Sequence, residues 1–150
     1  MQNSILKIKE LMGFTKTFRV LYVEDNEEAR MQTLKMLKNF FLEIEVGIDG
    51  VDGLEKYNSY HDSTGEFFDL VISDINMPNM NGITMSHEII KLNSQQQIIV
   101  ISAFNDTLNQ EASEDAGIKQ YIHKPIELKA LVDVIANATE AIKESTLIEA

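Results

Sequence analysis

The sequence predicts an α/β fold with one parallel sheet flanked by helices, and two observations support this prediction. Short apolar runs alternate along the chain with segments whose apolar residues recur at helical spacing, which is typical of βαβ units. Four of these runs end on reactive polar residues, namely Glu24-Asp25, Asp74, Ser102 and Lys124-Pro125. Because the carboxyl ends of parallel strands form the ligand crevice of such a sheet, we expect these side chains to lie together.

Size and composition limit the classes of function. The chain has 150 residues, 44% of them hydrophobic, which suits one domain with a substantial core. A formal net charge of -11 argues against direct nucleic-acid binding, since phosphate backbones are bound by clustered Lys and Arg. The sequence shows no apolar stretch long enough for a membrane span, no secretory signal pattern and no cysteine. We therefore expect a cytoplasmic protein without membrane insertion.

The first half of the domain is predicted to hold two strands and two helices. Residues 20–23 form the first strand, and Asn26 caps a helix with an acidic first turn and apolar positions at Ala29, Met31, Leu34, Leu37, Phe40 and Phe41. Residues 44–48 alternate as a second strand. Gly50 marks a turn before a helix that contains Val51, Leu54 and Tyr57, and residues 59–66 are predicted to form a polar surface loop.

The second half continues the alternation. A third strand ends on Asp74, a turn follows over residues 77–82, and a third helix carries Ile83, Met85, Ile89, Ile90 and Leu92. A fourth helix is expected over about 106–116, where Gly117 stops it. The fifth strand leads to Lys124-Pro125, and a last helix begins near Glu127.

The ends of the chain lie outside the five repeats. Ile5, Ile8, Leu11 and Met12 have helical spacing, which predicts a short amphipathic helix ending at Gly13. With about two turns of pattern, packing on the domain's own surface is favoured over a coiled coil or a docking helix. We thus divide the chain into an extension (1–17), one domain (18–141) and the end of the last helix with its tail (142–150).

The residues at the strand ends suit phosphoryl chemistry on a carboxylate. Carboxylate oxygens hold Mg²⁺, while a lysine and a hydroxyl neutralise phosphoryl oxygens. Taken one at a time, Glu24-Asp25 would be an ordinary turn or cap, Ser102 a helix cap and Lys124 a surface lysine. Their joint placement at strand ends favours a functional site.

These motifs resemble the receiver domains of two-component response regulators over roughly residues 18–141. The resemblance is carried by Glu24-Asp25, the segment 74–82 (DINMPNMNG), Ser102-Ala103, and Lys124-Pro125 preceded by Tyr121. It implies a flavodoxin-like (βα)5 doubly wound parallel sheet with strand order 2-1-3-4-5. It also implies that the Lys124-Pro125 bond is cis.

The resemblance agrees with the chemistry on the role of each residue. Asp74 would be the phosphoacceptor, and Asp25, Asp74 and the backbone carbonyl of Asn76 would hold Mg²⁺, with Glu24 engaging the ion or its waters. Lys124 would pair with Asp74 at rest and with a phosphoryl oxygen afterwards, and Ser102 would hydrogen-bond another of those oxygens.

Further roles concern the response to phosphorylation. Ser102 and Tyr121 would act as the switch that alters the surface of the fourth helix, fifth strand and fifth helix, although Tyr121 alone would also suit an ordinary core or rim position. Asn76 and Phe104 would flank the water that hydrolyses the phosphoryl group, and bulk at Phe104 would slow that hydrolysis. Phe104 turned outward toward a partner is an equal alternative.

The predicted function is a phosphorylation-dependent signalling switch with Mg²⁺ as its cofactor. Its partners would be a histidine kinase or histidine phosphotransfer protein and a downstream output protein or domain outside this chain. A phosphorylation-dependent homodimer is a further possibility. One alternative is a Mg²⁺-dependent phosphatase or phosphotransferase resembling haloacid dehalogenases, but Asn76 stands where those enzymes place an acidic proton donor. Another is a receiver-like interaction module that is never phosphorylated. His61, His87 and His123 lack a shared metal-ligand spacing and are assigned surface or core roles.

Overall fold

The computed structural model describes residues 2–103 and 107–149, with side chains described over 7–103 and 111–145. The strands are β1 (Arg19–Val23), β2 (Glu43–Gly47), β3 (Leu70–Asp74), β4 (Gln97–Ser102) and β5 (Gln120–His123). They form one parallel sheet in the order β2-β1-β3-β4-β5, which confirms the predicted fold class and strand order.

Helices cover both faces of the sheet. They are α1 (Gln2–Thr15), α2 (Glu27–Leu37), α3 (Gly50–Thr64), α4 (Gly82–Leu92), α5 (Thr107–Asp115) and α6 (Leu128–Glu149). Three of them begin at a side-chain cap, because Asn26, Asp49 and Asn81 each accept a hydrogen bond from the backbone N–H three residues later. Each of these caps lies just beyond the carboxyl end of a strand or its connecting loop, so the helices start beside one edge of the sheet.

The core has two layers, one on each face of the sheet. Every residue of β3 is buried, as expected for a central strand with both faces covered. One layer joins the sheet to residues following α2 and to α6 and includes Tyr22, Phe40, Phe41, Ile72, Leu131 and Ile135. The other joins it to α3 and α4 and includes Leu21, Tyr57, Val71, Met85, Ile89 and Val100. The two layers fix the strand ends that carry the polar residues.

The predicted polar loop over residues 59–66 is wrong, because α3 continues to Thr64. Aromatic packing explains the extra turns: Tyr60 stacks on Phe68 with ring centroids 4.3 Å apart, and His61 stacks on Phe67 at 4.1 Å. The helix ends where Gly65 adopts the left-handed conformation, with φ of 76°. The polar residues that suggested a loop lie mainly on the exposed face of α3.

The helices also differ from the predictions in smaller ways. Met31, predicted to face the core, is 56% exposed. Gly50 begins α3 and does not form a separate turn, because Asp49 caps the helix directly before it. Helix α1 passes through Gly13 and ends at Thr15, whose buried hydroxyl donates a 2.6 Å hydrogen bond to the carbonyl of Phe40. Leu11 and Met12 pack against the first core layer.

Within the described part of the chain, no helix combines the length and the apolar character required to cross a lipid bilayer.

Candidate functional site

Three carboxylates converge at the carboxyl edge of the sheet. Parallel pairing sets Val23 of β1 opposite Ser73 of β3, so the residues that follow, Glu24 and Asp74, come side by side. Asp25 joins them, and each of the three residues offers an oxygen within 4.8 Å of the others. The strand-end prediction therefore holds for this acidic group. The arrangement places several negative charges in one small space, where they repel unless a proton or a cation joins them.

Glu24 is the member of the group that departs most from ordinary behaviour. It is 2% exposed, and its buried Oε2 atom has no hydrogen-bond partner among the described residues. Burial, reinforced by the neighbouring Asp74 carboxylate, raises the pKa of Glu24 from 4.5 to about 8. A buried acceptor without a donor, beside two more carboxylates, fits a hard divalent cation, because such a cation supplies the missing positive charge.

Both oxygens of Asp74 have partners from different directions. Oδ1 accepts a 3.0 Å hydrogen bond from the backbone N–H of Ile75, and Oδ2 lies 3.2 Å from the ammonium of Lys124. Lys124 follows β5, and its bond to Pro125 is cis, as the resemblance implies. The nearly buried carboxylate thus sits between a backbone donor, a lysine and two other acids.

Ser102 at the end of β4 and Tyr121 on β5 each have a hydrogen-bond partner outside the acidic group. Ser102 is 4% exposed, and its Oγ atom lies 3.0 Å from Nδ1 of His123. Tyr121 is half-buried, and its hydroxyl donates a 2.9 Å hydrogen bond to the carbonyl of Ile118. Both residues were predicted from the sequence, but the contact of Ser102 with His123 was not, because it depends on the register of β4 against β5.

The loop after Asp74 is fixed by glycines that sequence analysis treated only as turn residues. The backbone N–H of Gly82 donates to the carbonyl of Ile75 at 2.8 Å, and a Cβ at Gly82 would overlap the carbonyl oxygen of Asp74. Gly50 meets the same loop, because its N–H donates to the carbonyl of Met80 at 3.0 Å. Close backbone approach therefore requires glycine at both positions. The loop is held against the site from two sides.

Two further contacts brace the site. Asn79 adopts a positive φ of 68°, and its side-chain amide donates a 2.7 Å hydrogen bond to Asp49, the cap of α3. Arg30 on α2 donates a 2.9 Å hydrogen bond to the carbonyl of Glu24. This second bond holds the acidic turn from its far side. Sequence spacing gave no signal for either contact, since each joins separate elements through a side chain.

The roles of Asn76 and Phe104 in hydrolysis of the phosphoryl group remain a prediction. Asn76 is exposed and lies two positions beyond Asp74. Phe104 lies outside the described residues, so its expected effect on the water path is unchanged. Of the three histidines, His61 stacks on Phe67, His87 is exposed on α4, and His123 approaches Ser102.

Comparison with known proteins identifies the family. A family model described as the response regulator receiver domain matches residues 20–136. The chain is also 33% identical over 121 residues to the chemotaxis protein CheY of Treponema pallidum, a match that covers 80% of this chain and 81% of that protein. The chain therefore belongs to the response regulator receiver domain family. The relatives that carry this match are response regulators and a chemotaxis protein, which are signalling proteins.

Two more relatives extend the comparison. The chain is 32% identical over 115 residues to the response regulator ArlR of Staphylococcus saprophyticus, covering 76% of this chain and 49% of that protein. It thus spans about half the length of ArlR. A chain from the crystal structure of the CheX-CheY-BeF3-Mg+2 complex of Borrelia burgdorferi superposes with a TM-score of 0.72 at 26% identity, covering 81% of this chain and 89% of that one.

Proposed function

We propose that this receiver domain is a phosphorylation-dependent switch in a two-component phosphorelay, with Asp74 as the residue that accepts the phosphoryl group. The observation that carries the proposal is the position of the Asp74 carboxylate. It lies beside two other acids and 3.2 Å from the ammonium of Lys124. This combination of a buried carboxylate, an acidic cluster and a half-exposed lysine is suited to phosphoryl transfer.

Mg²⁺ is the proposed cofactor, held by Asp25, Asp74 and the backbone carbonyl of Asn76, with Glu24 engaging the ion or its waters. The unpartnered, buried Oε2 of Glu24 supports this assignment. When bound, the cation would screen the carboxylates from one another and from the incoming phosphoryl oxygens. The protein's own residues would supply the nucleophile and the other contacts to the phosphoryl group.

In the proposed transfer, a carboxylate oxygen of Asp74 forms a bond to phosphorus while the phosphorus–nitrogen bond of a phosphohistidine donor breaks. The electron pair of that bond stays with the departing imidazole, and a proton from solvent restores its neutral form. Lys124 is half-exposed, so it can leave Asp74 and pair with a phosphoryl oxygen without crossing a packed region. The donor would be a histidine kinase or a histidine phosphotransfer protein.

The switch would follow from the new phosphoryl oxygens. Ser102 would hydrogen-bond one of them, Tyr121 would turn inward, and the surface made by α5, β5 and α6 would change. These are the fourth helix, fifth strand and fifth helix of the repeats. The presence of BeF3 and Mg in the Borrelia complex of CheX with CheY supports partner binding linked to the phosphoryl site. We place the function in the cytoplasm, with the output on a partner or a region outside residues 1–150.

The test is a phosphorylation assay with acetyl phosphate, a small donor that needs no cognate kinase. Intact-mass measurement should show one phosphoryl adduct when Mg²⁺ is present and none when a chelator removes it. Addition of excess Mg²⁺ after chelation should restore the adduct. If no adduct forms under any of these conditions, the unphosphorylated interaction module becomes the better account.

A further inference from the structure

Ser102 lies on the strand between those that carry Asp74 and His123, and both sites compete for its hydroxyl. Its strand, β4, lies between β3, which ends at Asp74, and β5, which ends at His123. The register places His123 directly opposite Ser102, whereas Asp74 is opposite Ile101. A hydrogen bond toward His123 therefore points away from the strand that carries the acceptor carboxylate.

The structure shows Ser102 committed to the β5 side. Its Oγ atom lies 3.0 Å from Nδ1 of His123, and its carbonyl accepts a 2.8 Å hydrogen bond from the backbone N–H of Lys124. Ser102 is 4% exposed, so its hydroxyl has little access to water as an alternative partner. Both polar groups of Ser102 thus engage the end of β5.

The two uses of Ser102 are exclusive when its hydroxyl is the donor to Nδ1 of His123, which requires the tautomer with its proton on Nε2. A serine hydroxyl carries a single proton to donate, and a neutral imidazole offers one ring nitrogen as an acceptor. Phosphoryl oxygens accept hydrogen bonds and donate none, so Ser102 must direct that proton to them. While it donates to Nδ1 of His123, it cannot donate to a phosphoryl group on Asp74.

We propose that the Ser102 hydroxyl donates to Nδ1 of His123 at rest, so that His123 is a positioning residue that holds Ser102 and thereby weakens binding of a phosphoryl group at Asp74. This inference rests on the proposed function of Asp74. The phosphorylated state must exchange the Ser102–His123 hydrogen bond for one to the phosphoryl group, and the lost bond opposes that state. A ligand shifts such an equilibrium only by the difference in its interactions with the two states.

The probe is BeF3⁻ with saturating Mg²⁺, because bound BeF3⁻ has the shape and charge of a phosphoryl group. Its affinity is measured by ¹⁹F NMR for wild type, His123→Ala, His123→Phe, Ser102→Ala and the Ser102→Ala/His123→Ala double variant. The Phe variant keeps an aromatic ring and removes both ring nitrogens. His87→Ala is the matched control, since His87 is also exposed but lies on α4.

Both His123 variants should bind BeF3⁻ about two- to tenfold more tightly than wild type, the range expected for loss of one competing hydrogen bond. In the Ser102→Ala background the His123 change should have no effect, and His87→Ala should match wild type. A merely structural role for His123 would change affinity equally in both backgrounds.

Unchanged or weaker binding by both His123 variants would overturn the inference, and so would an equal gain in the Ser102→Ala background. Weaker binding would show that Nδ1 donates to Ser102 and supports the bound state. If wild type binds BeF3⁻ and the His123 variants bind it with the same affinity, only the proposed role of His123 is refuted. A wild-type protein that neither binds BeF3⁻ nor accepts a phosphoryl group from acetyl phosphate refutes the proposed function as well.

Discussion

The ammonium of Lys124 lies 3.2 Å from Oδ2 of Asp74, although their strands are not neighbours. Strand β4 separates β5 from β3, so the lysine side chain crosses the carboxyl end of the strand between them. The side chain of Lys124 is 46% exposed, whereas that of Asp74 is 8% exposed. The partly exposed Lys124 thus pairs with the nearly buried Asp74. Its side chain has room to move toward a phosphoryl group attached to Asp74.

The first prediction concerns the division of labour in cation binding. Asp25→Ala should weaken Mg²⁺ binding more than Glu24→Ala, because in the proposed site Asp25 is a direct ligand and Glu24 acts mainly through water. We expect roughly tenfold weaker binding for the Glu24 variant and a larger loss for the Asp25 variant. Calorimetric titration with Mg²⁺ measures both.

Glu28→Ala is the matched control, because Glu28 is an exposed acid in the first turn of α2. It should bind Mg²⁺ as wild type does. Equal losses for the Asp25 and Glu24 variants would remove the assigned difference between these two residues.

The second prediction concerns pH and stability. Burial and the Asp74 carboxylate raise the pKa of Glu24 from 4.5 to about 8, so the native state keeps a proton that the unfolded chain has released. The native state therefore binds more protons between these values, and the stabilisation is complete below about pH 4.5 and is lost as pH rises through about 8. Urea unfolding of metal-free protein over this range measures the slope.

Glu24→Gln should reduce that fall in unfolding free energy by about 1–3 kcal/mol, because the amide does not ionise. Saturating Mg²⁺ should reduce the fall in wild type, since a bound cation stabilises the charged carboxylates. The same slope in wild type and Glu24→Gln without metal would show that another group causes it.

The third prediction concerns signal transmission. Ser102→Ala should still accept a phosphoryl group from acetyl phosphate, because the nucleophile and the acidic cluster remain. It should bind a phosphorylation-dependent partner more weakly than phosphorylated wild type, since the hydroxyl contact that differs between the two states is gone. Pull-down with matched phosphorylation levels compares them. Equal partner binding would mean that the hydroxyl does not trigger the change.

The fourth prediction tests the loop that braces Asp74. Gly82→Ala should destabilise the fold by about 1–3 kcal/mol, because its Cβ would overlap the backbone carbonyl of Asp74, which cannot move aside as a flexible side chain would. Gly13→Ala in α1 is the control, since its Cβ would meet no described atom within 4 Å beyond the helix's own backbone, and it should stabilise by about 0.5–1 kcal/mol. Chemical denaturation measures both. A neutral Gly82→Ala would show that the loop can shift.

Sequence patterns predicted the sheet and most of the site, because the strand ends are local features. Apolar runs mark buried strands, and the strand order that the resemblance implies sets β1 beside β3, which is why Glu24 and Asp74 could be expected to lie together. Contacts between separate elements could not be predicted in this way. The length of α3 depends on aromatic stacking between Tyr60 and Phe68, and the partner of Ser102 depends on cross-strand register.

The most direct test of the account is the identity of the phosphorylated residue. Wild type, Asp74→Asn and Asp62→Asn are incubated with Mg²⁺ and acetyl phosphate and measured by intact mass. Asp62 is an exposed residue on α3 and serves as the matched control. Wild type and Asp62→Asn should each gain one phosphoryl group, and Asp74→Asn should gain none while keeping its fold, because an amide is not a nucleophile. A phosphoryl adduct on Asp74→Asn at the wild-type level would contradict the account.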